Sequence, residues 1–120
     1  MTLALITKNQ DYDLVVRQVH DYVAAASAPA TRKAYSSDWR QFEDWCGRGN
    51  QFQKMPATPA AVACYVADQA EAGKKVATLE RALVAIGRAH QLAGVEDPTK
   101  HRIVRETMKG IRRRKSCAQK

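Results

Sequence analysis

The chain has 120 residues, which is enough for one domain with a single modest core. No apolar run reaches the roughly 20 residues that a membrane span needs, so we expect no contact with a membrane. The short apolar patch at the start lacks a basic segment before it, so no signal peptide is expected. The three cysteines, Cys46, Cys64 and Cys117, are an odd number without metal-ligand spacing. We therefore expect free thiols in a reducing cytoplasm, and no disulfide, metal site or cofactor.

The net charge of +8 is concentrated at one end of the chain. Residues 1–97 contain eleven Lys/Arg and eleven Asp/Glu, whereas residues 98–120 contain nine basic residues against Glu106 alone. A concentrated cationic block favours a polyanionic partner, nucleic acid before membrane. The alternative at this point is a disordered tail that only keeps the chain in solution.

Apolar residues recur at three- and four-residue spacing along the chain, which predicts an all-α protein of five helices. Thr58 and Pro59 are a strong start for the third helix, as N-cap and first helical residue. Gly73 and Gly94 are expected to end the third and fourth helices. The predicted helices span 11–26, about 30–47, 59 to about 72, a fourth between Lys74–Ala77 and Gly94, and about 98–114.

The second helix carries most of the aromatic residues. Its stripe of Tyr35, Trp39, Phe42 and Cys46, with Trp45 on the flank, is predicted to form the centre of the core. Polar and cationic residues occupy the first turn and the opposite side. They are Thr31, Arg32, Lys33, Ser37 and Arg40, together with Asp44.

The fourth helix has one apolar and one cationic side. Leu79, Leu83, Ile86 and His90 fall within about 60° of one another, so this stripe is predicted to be buried and His90 to be a hydrogen-bonded core histidine. A ligand or general base at that position is the alternative. The cations Arg81 and Arg88 lie roughly 180° from the stripe. Lys74 and Lys75 precede the helix start and Thr78 lies in its first turn, where an anion is favoured.

The fifth helix is predicted to be amphipathic. Val104, Met108 and Ile111 form a narrow apolar stripe, and residues 115–120 are expected to fray. Its cationic side contains Arg102, Arg105, Lys109, Arg112 and Arg113.

No spacing typical of a P-loop, a dinucleotide fold, a metalloprotease or a catalytic triad is present, so we expect no catalytic residue in this chain. An α-helix with short polar and cationic outward residues fits the major groove of DNA. Two alternatives stay open: a helical protein-interaction module with a basic solubilising tail, and an RNA or single-strand binder. Against the latter, the aromatic residues occupy core stripes.

Several strings in the chain are similar to one known family, the tyrosine recombinases or phage integrases. The resemblance is to their N-terminal core-binding domain and covers about residues 28–114. The strings are Thr31-x-x-x-Tyr35-x-x-Asp38-Trp39-x-x-Phe42-x-x-Trp45-Cys46, Pro56-Ala57-Thr58-Pro59, Gly73-x-x-Val76-x-Thr78-Leu79-x-Arg81-x-Leu83-x-Ala85-Ile86-x-x-x-His90, Gly94-x-x-x-Pro98 and Gly110-Ile111-Arg112-Arg113.

The resemblance implies a compact four- to five-helix, SAM-like orthogonal bundle that forms half of a clamp around duplex DNA. It implies a leader and first helix over 1–27, the core-binding domain over 28–114 and the start of an interdomain linker over 115–120. Arg81 and Ala82 then match base-proximal positions, and Arg81 could read a guanine or hold a phosphate. The DNA-facing residues would be Thr31, Arg32, Lys33, Ser37, Arg40, Lys74, Lys75, Thr78, Arg81, Arg88, Lys109, Arg112, Arg113 and Arg114.

The family's strand-exchange chemistry resides in a separate catalytic domain, which forms a 3′-phosphotyrosyl intermediate with DNA. The resemblance therefore implies that this chain is not an enzyme by itself, whereas its parent protein is a site-specific recombinase. It also implies tetramers of the full-length protein on paired DNA sites, a monomer for the isolated chain, and a cytoplasmic, nucleoid-associated location in a bacterium or for a phage.

Overall fold

The computed structural model describes residues 9–26, 28–50 and 52–118. Within these ranges the protein is helical and contains no strand, which confirms the predicted all-α class. The leader before residue 9 and the last two residues of the predicted linker lie outside the described residues. The helices are α1 (Asn9–Ala25), α2 (Pro29–Trp45), α3 (Pro59–Glu71), α4 (Val76–Leu92) and α5 (Arg102–Ala118). None of these described helices is long and apolar enough to cross a membrane.

The chain divides into two compact units, residues 1–33 and residues 34–120, so that α2 contributes to both. In the first unit, the Nη1 group of Arg32 donates a hydrogen bond to the carbonyl oxygen of Ala24 at 2.9 Å. That carbonyl lies in the last turn of α1, where the chain has no further helical donors to offer. Arg32 therefore stabilises the end of α1.

The apolar side chains of α1 are largely exposed. Most of them recur at the spacing of one helix face, and the described residues of the first unit form no core over them. The exposed residues are Tyr12, Leu14, Val15, Val19, Tyr22 and Val23.

The core of the second unit lies between α2, α3, α4 and α5. Phe42, Val62, Val66 and Ile86 are fully buried there, and each contributes about 1.5–3 kcal/mol relative to an exposed side chain. From α5, Val104 and Met108 are buried, and Ile111 packs against them, as its predicted stripe required. The basic side of α5 is correspondingly exposed.

The buried face of α2 differs in phase from the predicted stripe. Asp38, Phe42 and Trp45 are the buried residues of this helix, whereas Tyr35 and Trp39 are only partly buried. The prediction placed every aromatic side chain of this helix inward and assigned Asp38 to neither side. The helix is rotated because the Asp38 carboxylate is paired by a cation from α4 and can therefore be buried.

Local sequence signals set most helix ends as predicted. The Thr58 side chain accepts a hydrogen bond from the Ala61 N–H at 3.1 Å, and Pro59 is the first residue of α3. Gly73 and Gly94 follow α3 and α4 with φ angles of 96° and 76°, which glycine adopts without strain.

The predicted start and end of the fifth helix were both wrong. Residues Pro98–Lys100 form a separate 3₁₀ turn, capped by the Asp97 side chain, and α5 begins only at Arg102. At the other end, α5 continues to Ala118, so the described part of the stretch expected to fray is helical. Its low content of helix breakers and several good helix formers explain the extension.

His90 is the hydrogen-bonded core histidine that its position predicted, with no exposed surface. Its Nε2 atom accepts the backbone N–H of Ala57 at 2.8 Å, and Nδ1 lies 2.8 Å from the carbonyl oxygen of Ile86. A backbone N–H can only donate a hydrogen bond and a carbonyl oxygen can only accept one. The ring is therefore the neutral tautomer protonated on Nδ1.

Candidate nucleic-acid interface

Arg81 and Asp38 form a bidentate ion pair between α4 and α2. The Nε atom of Arg81 lies 2.7 Å from Oδ2 of Asp38, and Nη2 lies 3.1 Å from Oδ1. The Asp38 side chain is only 4% exposed, while that of Arg81 is 51% exposed. The hydrogen bonds to Asp38 raise the pKa of Arg81 further above its usual value, so the guanidinium stays charged. A buried carboxylate is thus held by a cation that still reaches solvent.

Arg88, two turns further along α4, also contacts α2. Its guanidinium carbon lies 5.1 Å from the centre of the Tyr35 ring, which is a cation–π contact. We call Tyr35, Asp38, Arg81 and Arg88 the α2–α4 seam. Arg81 lies on the exposed surface as the helical pattern predicted, but each arginine also has a partner on α2 that the pattern did not predict.

A cationic cleft lies at the start of α4. Lys75 is the N-cap residue, its side chain makes no capping hydrogen bond, and the first N–H groups of the helix follow it. The cleft has a volume of about 590 Å³ and is lined by Gly73, Lys75, Val76, Ala77, Arg112, Lys115 and Ser116. We call these residues the α4 cleft. Backbone N–H groups, the helix dipole and three cations favour an anion such as a phosphate there.

Two cations of the α4 cleft also have partners in the protein. The Nη1 group of Arg112 lies 3.3 Å from the Glu80 carboxylate, with both side chains about half exposed. Such an exposed pair contributes little stability and can be exchanged for a phosphate. The Nζ group of Lys115 donates to the carbonyl oxygen of Ala70 at 3.1 Å, which fixes α5 against the end of α3.

The structure brings some of the predicted DNA-facing residues together and leaves others apart. Arg81 and Arg88 share the seam, and Lys75 and Arg112 share the α4 cleft. Arg114 lines a different groove, between α3 and α5. The remaining predicted residues lie in the first turn of α2 in the first unit (Thr31, Arg32, Lys33), further along α2 (Ser37, Arg40), at the start of α4 (Lys74, Thr78) and on the exposed side of α5 (Lys109, Arg113).

Ala82 does not have the base-proximal position that the resemblance implied. It is 7% exposed and packs in the hydrophobic core with Leu79 and Ile86. Successive residues of a helix point in directions 100° apart. Ala82 therefore lies on the buried side of α4, while Arg81 lies at the edge of that side and is half exposed. Only Arg81 of this pair can reach a ligand.

The sequence analysis gave Asp38 and Tyr35 no role in the interface. Tyr35 was predicted only as a core residue, and Asp38 appeared only in a family motif. Their three-residue spacing puts both on one face of α2, and in the structure this face contacts the two arginines. Lys115 was expected to begin a frayed end, and the resemblance implied that the basic stretch up to it follows the DNA backbone; its place in the α4 cleft was not predicted. A buried carboxylate that needs a cation is the one signal that could have linked Asp38 to Arg81.

Metal ligands and thiols are the other side chains to consider in the part of the chain that the structure covers. There, no group of three His, Cys, Asp or Glu side chains is arranged to hold a metal ion. Cys46 is buried, and burial raises the pKa of its thiol, whereas Cys64 and Cys117 are exposed free thiols.

Comparison with known proteins gives the family. No family profile matches the chain. A curated protein from Selenomonas ruminantium, described as an integrase/recombinase xerD homolog, is 36% identical to it over 98 residues. The match covers 79% of this chain and 28% of the relative, so the chain spans little more than a quarter of that protein's length. With an all-α fold and this level of identity over most of its residues, the chain belongs to the tyrosine recombinase family.

Proposed function

We propose that this chain is the core-binding domain of a site-specific tyrosine recombinase and holds duplex DNA at the recombination site. The observation that carries the proposal is the exposed guanidinium of Arg81, held on α4 beside Arg88. The α4 cleft on the same helix adds an anion site at the N-terminus. A helix with these groups can contact base edges along its length and a phosphate at its start.

The strand-exchange chemistry is proposed for the parent protein and not for this chain. A catalytic domain elsewhere in the parent would attack the DNA with a tyrosine and form the 3′-phosphotyrosyl intermediate. The present chain would bind the duplex DNA and hold it in position, as one half of a clamp around it. The relative's description as an integrase/recombinase supports this assignment. We propose bacterial or phage DNA in the cytoplasm as the substrate of the parent protein.

Charge reversal at Arg81 is a poor test of this function, because it would leave the Asp38 carboxylate buried beside a second negative charge. Lys74 and Lys75 are exposed and better suited. We expect the double variant Lys74→Glu, Lys75→Glu to bind a fluorescent 30-base-pair duplex at least tenfold more weakly in anisotropy titrations. The matched control, Arg17→Glu with Arg48→Glu, changes the same total charge at exposed positions outside the proposed interface.

The salt dependence gives a second readout. If about five cations neutralise phosphates, log K falls against log salt with a slope near −4 to −5 for the wild-type chain. The Lys74/Lys75 variant should have a slope about two units shallower, while the control keeps the wild-type slope. Equal weakening of both variants, or no duplex binding by the wild type at 50 mM salt, would contradict the proposal.

The exposed apolar side chains of α1 support a second part of the proposal, a contact between protomers. Tyr12, Val15, Val19 and Tyr22 are each more than half exposed, and such a patch marks a protein contact surface. We propose that α1 joins neighbouring protomers in the DNA-bound tetramer of the full-length protein, whereas the isolated chain is monomeric. The same patch favours the alternative of a protein-interaction module, which predicts a protein partner without duplex binding.

Sedimentation of the chain distinguishes these possibilities. We expect a monomer without DNA, and a second chain recruited cooperatively to a duplex that carries two adjacent sites. Val15→Asp with Val19→Asp should abolish the cooperativity while one chain still binds one site. A stable oligomer without DNA would contradict the proposed monomer.

A further inference from the structure

We propose that Asp38 is a positioning residue that presents Arg81 to the edge of a guanine, so that Arg81 reads a base and does not clamp a phosphate. The inference rests on the proposed DNA-binding function and deepens it. The sequence alone left both roles of Arg81 open. The ion pair with Asp38 favours one of them, for three independent reasons.

The first reason is the number and place of the remaining donors. A guanidinium has five N–H groups, and the pair with Asp38 uses one on Nε and one on Nη2. The two on Nη1 and the second on Nη2 have no partner among the described residues. These three lie at the end of the side chain, which is half exposed. Their fork matches the O6 and N7 acceptors of guanine in the major groove.

The second reason is charge. Asp38 carries one negative charge within hydrogen-bond distance of the guanidinium, so the pair as a whole attracts a phosphate far less than a lone arginine does. The hydrogen-bond donors of Arg81 are unaffected by this cancellation. A cation whose charge is compensated but whose donors remain is better suited to a base edge than to the DNA backbone.

The third reason is preorganisation. The Asp38 carboxylate is 4% exposed and is fixed in the packed face of α2 beside Phe42. It therefore holds the long Arg81 side chain in one conformation before DNA arrives, and the rotamer entropy is lost on folding instead of on binding. Arg88 contacts an aromatic ring and forms no ion pair with a described residue, so its charge remains available to a phosphate.

The test compares three variants of the full chain. Selection from a pool of randomised duplexes first gives the preferred site of the wild type, and anisotropy then measures all four base pairs at each position. We expect one position at which guanine is preferred by about 5- to 150-fold, the range of a good bidentate contact. Asp38→Asn should reduce that preference at least fivefold and slightly raise affinity for an unrelated duplex, because a negative charge is lost.

Arg81→Lys and Arg88→Ala complete the comparison. Arg81→Lys keeps the charge and can still pair with Asp38, but it lacks the forked donors, so the guanine preference should disappear. Because the charge is kept, the salt slope should change by much less than the roughly 0.9 unit of a lost phosphate contact. Arg88→Ala should instead weaken all duplexes alike and flatten the slope by about that amount. If Asp38→Asn fails to fold, as judged by circular dichroism, the Arg81→Lys result decides.

The outcomes separate this inference from the proposed function. A wild-type chain that binds duplexes with a steep salt slope but selects no guanine, or an Arg81→Lys variant that behaves like Arg88→Ala, overturns the role of Asp38 and leaves the DNA-binding function in place. A wild-type chain that binds no duplex overturns both. A loss of preference and of non-specific affinity together in Asp38→Asn shows a merely structural role and also overturns the inference.

Discussion

The Nε2 atom of His90 accepts the backbone N–H of Ala57, 33 residues earlier in the chain, at a distance of 2.8 Å. This one bond connects the last turn of α4 with the segment that leads into α3. The rings of His90 and Trp39 also pack at nearly right angles, with their centres 5.9 Å apart. The residue therefore joins three parts of the second unit at one buried point.

Replacement of His90 by alanine should destabilise the protein strongly. The Ala57 N–H would lose its acceptor, and a cavity would form between α2 and α4, at a combined cost of about 3 kcal/mol. Urea unfolding followed by circular dichroism measures this cost. His20→Ala, at an exposed position of α1, is the control and should change stability by less than about 0.5 kcal/mol. Similar midpoints for the two variants would show that the buried bonds contribute nothing.

The two aromatic residues Phe42 and Trp39 should differ in their contribution to stability. Phe42 is fully buried and contacts Trp39, Trp45 and Tyr65, so Phe42→Ala should cost about 3–5 kcal/mol. Trp39 is only partly buried, so Trp39→Ala should cost less despite the larger side chain removed. Urea midpoints of the two variants measure the difference. A larger loss for Trp39→Ala would return it to the centre of the core, where the helical pattern had placed it.

Stability should fall in strongly alkaline solution because of Tyr65. Burial raises the pKa of its phenol from 10.0 to about 12. Below pH 10 the phenol is neutral in both states, and its contribution is fully present. Between about pH 10 and 12 the unfolded state loses the proton first, so the free energy of unfolding decreases, by on the order of 2–3 kcal/mol in total.

The Tyr65→Phe variant isolates this effect. Urea unfolding at pH 8, 10 and 11 should show the wild-type chain losing stability relative to the variant as pH rises. Because both chains share every other titrating group, a difference that stays constant with pH would show that Tyr65 ionises as easily in the folded protein as in the unfolded one.

The three thiols should react at different rates. Cys64 and Cys117 are exposed, whereas Cys46 is buried and burial raises the pKa of its thiol, which lowers its thiolate fraction. With Ellman's reagent at pH 8, we expect two thiols to react quickly and one slowly. Addition of 8 M urea should make the third react at once. Cys46→Ser should remove the slow phase and no other, and its persistence in that variant would refute the assignment.

Lys33 provides a test of backbone contact in the first turn of α2. Its side chain is exposed, so Lys33→Ala should weaken binding to all duplexes alike and flatten the salt slope by about one unit. Lys54→Ala is the control, because Lys54 is also exposed but is paired with Glu43 at 2.9 Å. Anisotropy titrations at several salt concentrations measure both. A change of base preference in Lys33→Ala would mean that this lysine reads sequence.

Local signals predicted most of the architecture. The Thr58-Pro59 start, the glycines after α3 and α4 and the apolar stripes of α4 and α5 each depend on residues within one or two turns of one another. Such short-range chemistry is visible in a single sequence. The 3₁₀ turn at Pro98–Lys100 was missed because Asp97 caps a short turn as well as it caps a helix.

The interface was less predictable for a physical reason. The partners of Arg81 and Arg88 lie on α2, about 43 and 53 positions away, so no periodicity of α4 contains them. Aromatic content pointed to Tyr35 and Trp39 as the inward side, whereas ion pairing decided that Asp38 is buried. A pair of residues distant in sequence can outweigh the hydrophobic pattern of one helix. Which pair does so depends on how the helices pack, and the sequence of a single helix does not contain that information.

The bond between positions 38 and 81 restricts how this surface can change through descent. A mutation of Arg81 alone leaves the buried Asp38 carboxylate unpaired, and a mutation of Asp38 alone leaves the Arg81 guanidinium unpaired. Either single step therefore lowers the stability of the fold. Lineages are expected to replace both residues together, or to pass first through a stabilised background. The pair thus sets the order in which new variants of this helix can arise.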